Sequence, residues 1–162
     1  MTRLRALAAA LTGLVAAMAL MTPAHADSGG FLIINDYSGK CLELMNSDLH
    51  IAAPIDQYQC HGGLNQRWTL DDHTGQLRNA YSGQCATFLF TTADGAQLRQ
   101  YPCATSDVAY GDFQRWFHSY DGRLVNLDTH KCAIDFGFST ADFGEVGQWE
   151  CASTYDQRWT FF

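Results

Sequence analysis

The triplet Gln-Arg-Trp stands three times in this chain, at Gln66-Arg67-Trp68, Gln114-Arg115-Trp116 and Gln157-Arg158-Trp159, each time at the end of a similar stretch. Other landmarks keep its register. Asn35, Asn79 and Asn126 each lie six residues before a cysteine (Cys41, Cys85, Cys132), and a second cysteine follows each (Cys60, Cys103, Cys151). A period of roughly 40 to 50 residues marks units that cannot bury a core singly and must pack against their copies. The chain is thereby confined to a three-part architecture.

The N-terminus lies outside that pattern. Arg3 and Arg5 precede an apolar run from Ala6 to Met21, followed by Pro23 and the small-residue site Ala24-His25-Ala26. This is the layout of a secretory signal peptide, with cleavage expected after Ala26. A membrane anchor is the competing reading, but the run is Ala-rich, contains Thr12 and Gly13, and falls short of the roughly 18 to 20 apolar residues a spanning helix needs. The mature protein, residues 27–162, is expected to be extracellular and soluble.

Loss of residues 1–26 removes two basic residues and no acid, leaving 8 bases against 17 acids and a formal charge of −9. Such a chain is repelled by phosphate backbones and anionic lipid, whose capture depends on clustered Lys and Arg. Nucleic acid and membrane insertion are therefore not expected. The remaining length suits one domain able to bury a real core.

Six cysteines in an exported chain point to three disulfides, for which sequence alone allows fifteen connectivities. The repeat favours pairing within units, since Cys41 and Cys60, Cys85 and Cys103, and Cys132 and Cys151 are 19, 18 and 19 residues apart and one geometry would serve all three. Closing loops of that size stabilises each unit by on the order of 3 kcal/mol. No Cys-x-x-Cys pair or Cys/His cluster at zinc spacing occurs, so neither a metal nor another cofactor is expected.

Within each unit the local signals are short strands joined by turns. Phe31-Leu32-Ile33-Ile34, Gln76-Leu77-Arg78-Asn79 and Arg123-Leu124-Val125-Asn126 are apolar or alternating, and helical periodicity is missing. Turn chemistry separates them at Tyr37-Ser38-Gly39-Lys40, Tyr81-Ser82-Gly83-Gln84, Asp121-Gly122 and His61-Gly62-Gly63. The mature chain is expected to be all-β. If Gln-Arg-Trp is extended, Gln and Trp share one face and Arg the other, so that Trp fills the core while Gln satisfies buried backbone groups.

The triple Gln-x-Trp, the run Ser38-Gly39-Lys40-Cys41-Leu42-Glu43-Leu44 and Asn65-Gln66-Arg67-Trp68 resemble the ricin B-type lectin family over nearly the whole mature chain. The resemblance implies a β-trefoil of three four-stranded repeats with pseudo-threefold symmetry, here at about 30–70, 71–118 and 119–162, and carbohydrate binding without chemistry. A sugar pocket in this family needs an acid two residues after the first cysteine and a polar side chain and an aromatic four and two residues before the second. It also needs an Asn just before Gln-x-Trp. The aromatic ring covers the apolar C–H face of a sugar while carboxylate and amide hold neighbouring hydroxyls.

The first repeat supplies Glu43, Asp56, Tyr58 and Asn65, backed by Gln66, although Glu43 stands where Asp is usual and Asp56 where Gln is common. The second has Thr87 for the acid, Arg99 for the polar residue and Phe113 for Asn, retaining only Tyr101, and reads as structural. Its stretch from Cys103 to Gln114 is five residues longer than its counterparts, carrying Ala104 to Phe113 toward the pocket region. The third offers Trp149, Asp156 and Gln157, but Ile134 takes the acid position and Gly147 the polar one. Asp135, one residue off, serves only if a bulge turns it to the other face.

No Gly-x-Ser-x-Gly, His-Glu-x-x-His or P-loop pattern occurs, and the five histidines left after cleavage (His50, His61, His73, His118, His130) mostly lie in turn-like sequence. An enzyme is not expected. The rival to a lectin is a protein-binding trefoil, a secreted inhibitor or adhesion subunit with decayed sugar sites. The second-repeat insertion favours that rival; the first repeat favours sugar.

Overall fold

A computed structural model of the chain describes residues 29–105 and 112–162. The expected leader, residues 1–26, lies outside the described residues, as does most of the second-repeat insertion. Twelve short strands follow in chain order: β1 (Phe31–Asn35), β2 (Cys41–Leu44), β3 (Ile55–Tyr58) and β4 (Arg67–Leu70); β5 (Leu77–Asn79), β6 (Cys85–Thr87), β7 (Arg99–Tyr101) and β8 (Trp116–His118); β9 (Leu124–Asn126), β10 (Cys132–Asp135), β11 (Gly144–Trp149) and β12 (Trp159–Phe161). Among the described residues helical structure is confined to 3-10 turns, three of which (Leu64–Gln66, Asp112–Gln114 and Tyr155–Gln157) immediately precede a Gln-x-Trp strand.

Six strands close into a barrel. β1 pairs with β4 and β12, β4 with β5, and β8 with β9, while bridges at Gln76–Arg115 and Arg123–Arg158 complete the ring. The other six form the hairpins β2–β3, β6–β7 and β10–β11, joined at one end by β3–β11 pairing and by bridges at Pro54–Arg99 and Gln97–Gly147. Among the described strands closure leaves no long free edge for another chain to pair with. This is a β-trefoil with pseudo-threefold symmetry.

Both layers contribute to one core. Ile33, Trp68, Leu77, Trp116, Leu124 and Trp159 come from the barrel and Leu42, Leu44, Ile55, Leu98 and Val146 from the hairpins, all buried. Each tryptophan ties its barrel strand to its own hairpin, as Nε1 of Trp68, Trp116 and Trp159 donates to the carbonyls of Leu42, Ala86 and Ala133 at 3.0, 3.1 and 3.0 Å. The bridges Cys41–Cys60, Cys85–Cys103 and Cys132–Cys151 lie within the repeats.

The extended reading of Gln-Arg-Trp needs correction. Gln66, Gln114 and Gln157 close the 3-10 turns rather than lie in the strands, and a tight turn, not strand alternation, buries Gln and Trp together. Their role toward the backbone stands. Gln66 Oε1 accepts from the amides of His61 and Gly62 while its Nε2 donates to the Gln59 carbonyl. Gln114 and Gln157 hold Ala104 and Ala152 in the same way. The asparagine landmarks work similarly: each accepts two amides from the following turn, and Asn79 and Asn126 donate to a carbonyl of the preceding 3-10 turn while Asn35 donates to Asp156 in the last one, closing the ring.

Candidate functional site

In the β2–β3 hairpin, Cys41 stands opposite Tyr58 and Glu43 opposite Asp56. Directly opposed residues of an antiparallel pair share a face, so the ring and the two carboxyls stand on one side of the hairpin. The turn before β4 brings Asn65 and Gln66 beneath them. Gln66 Nε2 donates to Glu43 Oε2 at 2.6 Å, and Asn65 Nδ2 to the Leu44 carbonyl at 3.4 Å. All five residues named from the sequence are therefore gathered in one place, with Tyr58 half-buried above and Glu43, Asp56, Asn65 and Gln66 buried below.

His61, in the turn His61-Gly62-Gly63, completes this cluster although no sequence motif marks it. Its Nε2 lies 3.1 Å from Glu43 Oε2, and its Nδ1 accepts from the Gly63 amide, which leaves Nε2 as the donor to the acid. The imidazole is the outer layer, 46 % exposed over a Glu43 side chain exposed by only 5 %. A Cβ at Gly63 would come within 2.8 Å of His61 Cε1 and 2.9 Å of Asn65 Oδ1, so only glycine lets the turn pass this close. The signal was present in sequence: the residue after the second cysteine is His61 in the first unit and Ala104 and Ala152 in the others.

Phe143 was also missed. It comes from the third repeat, and its ring centroid lies 4.8 Å from that of Tyr58 at an interplanar angle of 48°. The contact joins residues 85 positions apart, which no scan of a single repeat brings together.

Asp56 carries the unusual electrostatics. Both of its oxygens are buried without a hydrogen-bond partner. Burial pushes its carboxyl up to about 7, and the adjacent Glu43 charge adds to the rise. Two acids and an imidazole thus form a polar patch beside an aromatic face. Among the described residues no group of three or more His, Cys, Asp or Glu side chains is placed to hold a metal ion.

The second repeat fills the corresponding space with rings. Phe90 meets Tyr101 at 5.7 Å and Phe113 at 5.9 Å, both edge-on, while Arg99 is committed to the Ala52 carbonyl and to Gln97 Oε1.

The third repeat keeps the register of the first, with Cys132 opposite Trp149 and Ile134 opposite Gly147 in an unbroken ladder that continues to Asp135 and Val146. The bulge required to turn Asp135 outward is absent. Asp135 instead occupies the place of the core residue Leu44, fully buried, with no partner on either oxygen. Burial pushes it up to about 7, partly opposed by the Ser139 backbone and reinforced by the Asp156 charge. Gly147 has no room for a polar side chain either, since a Cβ there would lie 2.3 Å from the Phe136 ring. Trp149 remains exposed, Asp156 is buried, and Gln157 braces the backbone.

A trefoil whose hairpin carries a stacking ring beside fixed hydrogen-bonding groups has the layout of a lectin domain. The family model for the ricin-type beta-trefoil lectin domain matches residues 30–159, and the chain belongs to that family. Among solved structures it is similar to a designed three-fold symmetric protein, ThreeFoil, at 28 % identity and a TM-score of 0.73 over 82 % of this chain and 97 % of that one. An exo-β-1,3-galactanase from Clostridium thermocellum shares 27 % identity at a TM-score of 0.71, over 84 % of this chain but only 30 % of the enzyme. The Macrolepiota procera ricin B-like lectin, solved in complex with lactose, shares the fold at 24 % identity and a TM-score of 0.66, covering 82 % and 94 %.

Proposed function

We propose that this chain is a secreted, non-catalytic carbohydrate-binding protein that captures glycans through the first-repeat pocket. The observation that carries the reading is the convergence of a half-buried Tyr58 ring on Glu43, whose carboxylate is held in place by Gln66. In this reading the sugar's C–H face stacks on Tyr58, and hydroxyls are held by Glu43, Asp56 and the Asn65 amide. A hydroxyl reaches Glu43 by replacing the His61 contact, so the site exchanges one hydrogen bond for another rather than leaving an acid unpaired. We assign the third repeat no complete pocket: Trp149 offers a ring, while Asp135, Asp156 and Gln157 serve the interior. Carbohydrate in solved relatives, lactose for the fungal lectin and GalNAc for an earthworm R-type lectin, agrees in class with this reading.

Secretion rests on the leader at residues 1–26 and on three disulfides, which persist in oxidising compartments. A protein-binding trefoil is the second reading, favoured by the ring-filled second repeat. A glycan array probed with the protein beginning at Asp27 separates the two. Selective signal lost in Tyr58→Ala and Asn65→Ala is expected, whereas an array silent for the wild type overturns the lectin reading.

A further inference from the structure

The loop that precedes the last hairpin strand of each repeat reaches across to the next repeat's pocket. Its anchor is a glutamine: Gln57, Gln100 and Gln148 are buried, and each Nε2 donates to two carbonyls of the neighbouring loop, at Ser139 and Ala141, Asp48 and His50, and Thr91 and Ala93 respectively. Two residues further on, the amides of Phe143, Ala52 and Gly95 donate to the backbone carbonyls of those same glutamines. These three positions are therefore equivalent under the threefold. All three have left-handed backbone, with φ of 60°, 66° and 81°.

That conformation favours glycine and tolerates small residues, so a bulky side chain there carries a backbone cost. The second and third pockets are met by Ala52 and Gly95, while the first alone is met by a phenylalanine. Its ring contributes nothing to the core, being 47 % exposed, and packs beside Tyr58. Glu145, exposed, stands opposite Asp56 across β3–β11, so a free carboxylate lies on the same face as the pocket acids. The same loop also carries Phe138, again left-handed at φ 53° and exposed, against Tyr37 at 5.1 Å.

We infer that Phe143 and Glu145 form a second sugar subsite next to the Tyr58 pocket, so that the site is built across two repeats and reads an extended glycan chain rather than a single terminal sugar. This rests on the first-repeat pocket being a sugar site. The ring takes the C–H face of the adjoining residue and Glu145 accepts from its hydroxyls. The Tyr37–Phe138 pair continues the apolar strip for a longer chain.

The test titrates the mature protein with methyl glycosides of galactose, N-acetylgalactosamine, glucose, N-acetylglucosamine and mannose, and with their β-linked di- and tetrasaccharides. For the wild type, affinity should rise from one residue to two. Phe143→Gly, which relieves the backbone, should fold at least as stably, leave the methyl glycoside within about twofold, and lower disaccharide affinity by about tenfold, the value of one stacking contact. Phe143→Leu, which keeps bulk without a π face, should fall between. If wild-type affinity does not rise with chain length, or if both Phe143 variants change all lengths alike or none, the subsite is overturned. Tyr58→Ala in the same series keeps the two readings apart: it should abolish binding at every length. Loss there with no effect of Phe143 removes the subsite alone, and survival of binding there removes the pocket and the subsite together.

Discussion

At the scale of single residues, the fold relies on three indole rings and tolerates two awkward acids. Trp68, Trp116 and Trp159 each fill the core and each donate to a hairpin carbonyl, so truncation removes packing and leaves that carbonyl unpaired. Replacing any one by Ala should cost about 3 to 5 kcal/mol by chemical denaturation. Asp56 and Asp135 work the other way. Their carboxyls, ordinarily at 3.8, are pushed up to about 7, so the folded state holds protons that the unfolded chain releases. Stability from these groups is present in full below about 3.8 and is lost as pH rises through about 7. Asp48, Asp71, Asp121 and Asp142 are held below the usual range by hydrogen bonds and oppose this only under strongly acidic conditions. The melting temperature should therefore be higher at pH 5 than at pH 8. Asp135→Asn should raise it at pH 8 by about 3 to 5 °C while doing little at pH 5. A flat profile in the wild type would contradict this account of the buried acids.

At the scale of elements, the first strand of each repeat was easier to foresee than the connections. Apolar or alternating patterning and turn chemistry marked β1, β5 and β9, because short strands and tight turns are specified by neighbours in sequence. The 3-10 turn before each Gln-x-Trp was not legible, since Leu64-Asn65-Gln66 carries no period that distinguishes it from the start of a strand. The place of Asp135 was legible once register was considered: an uninterrupted ladder from Cys132 puts it on the core face. The loop anchors went unseen because Gln57, Gln100 and Gln148 act on segments 50 to 84 residues away in sequence. They give a matched experiment. Gln57→Leu and Gln100→Leu each remove two bonds to loop carbonyls, the former also the Ser38 hydroxyl's bond to Oε1, and each should destabilise by about 1 to 3 kcal/mol. Only Gln57→Leu loosens the loop carrying Phe143, so it alone should weaken glycan binding in a titration at a temperature where both variants are fully folded. Equal weakening by both would show that the effect is general destabilisation.

At the scale of the whole molecule, a threefold scaffold carries three differently furnished corners, of which the first is the proposed sugar site. The repeat predicted a scaffold with three equivalent corners, and the side chains found at those corners differ. The first keeps Glu43, Asp56, Tyr58 and Asn65 together and adds His61; the second is filled by Phe90, Tyr101 and Phe113; the third places Phe136 where a polar side chain would stand. What the sequence could not disclose was the contribution of the third repeat to the first pocket, because it arises from closure of the ring and not from any local motif. The most direct test is the stoichiometry of binding by isothermal titration, using a disaccharide selected from the array. The account predicts one site per chain, abolished by Tyr58→Ala and unchanged by Tyr101→Ala and Trp149→Ala. Two or three sites per chain, or a single site that survives Tyr58→Ala, would contradict it.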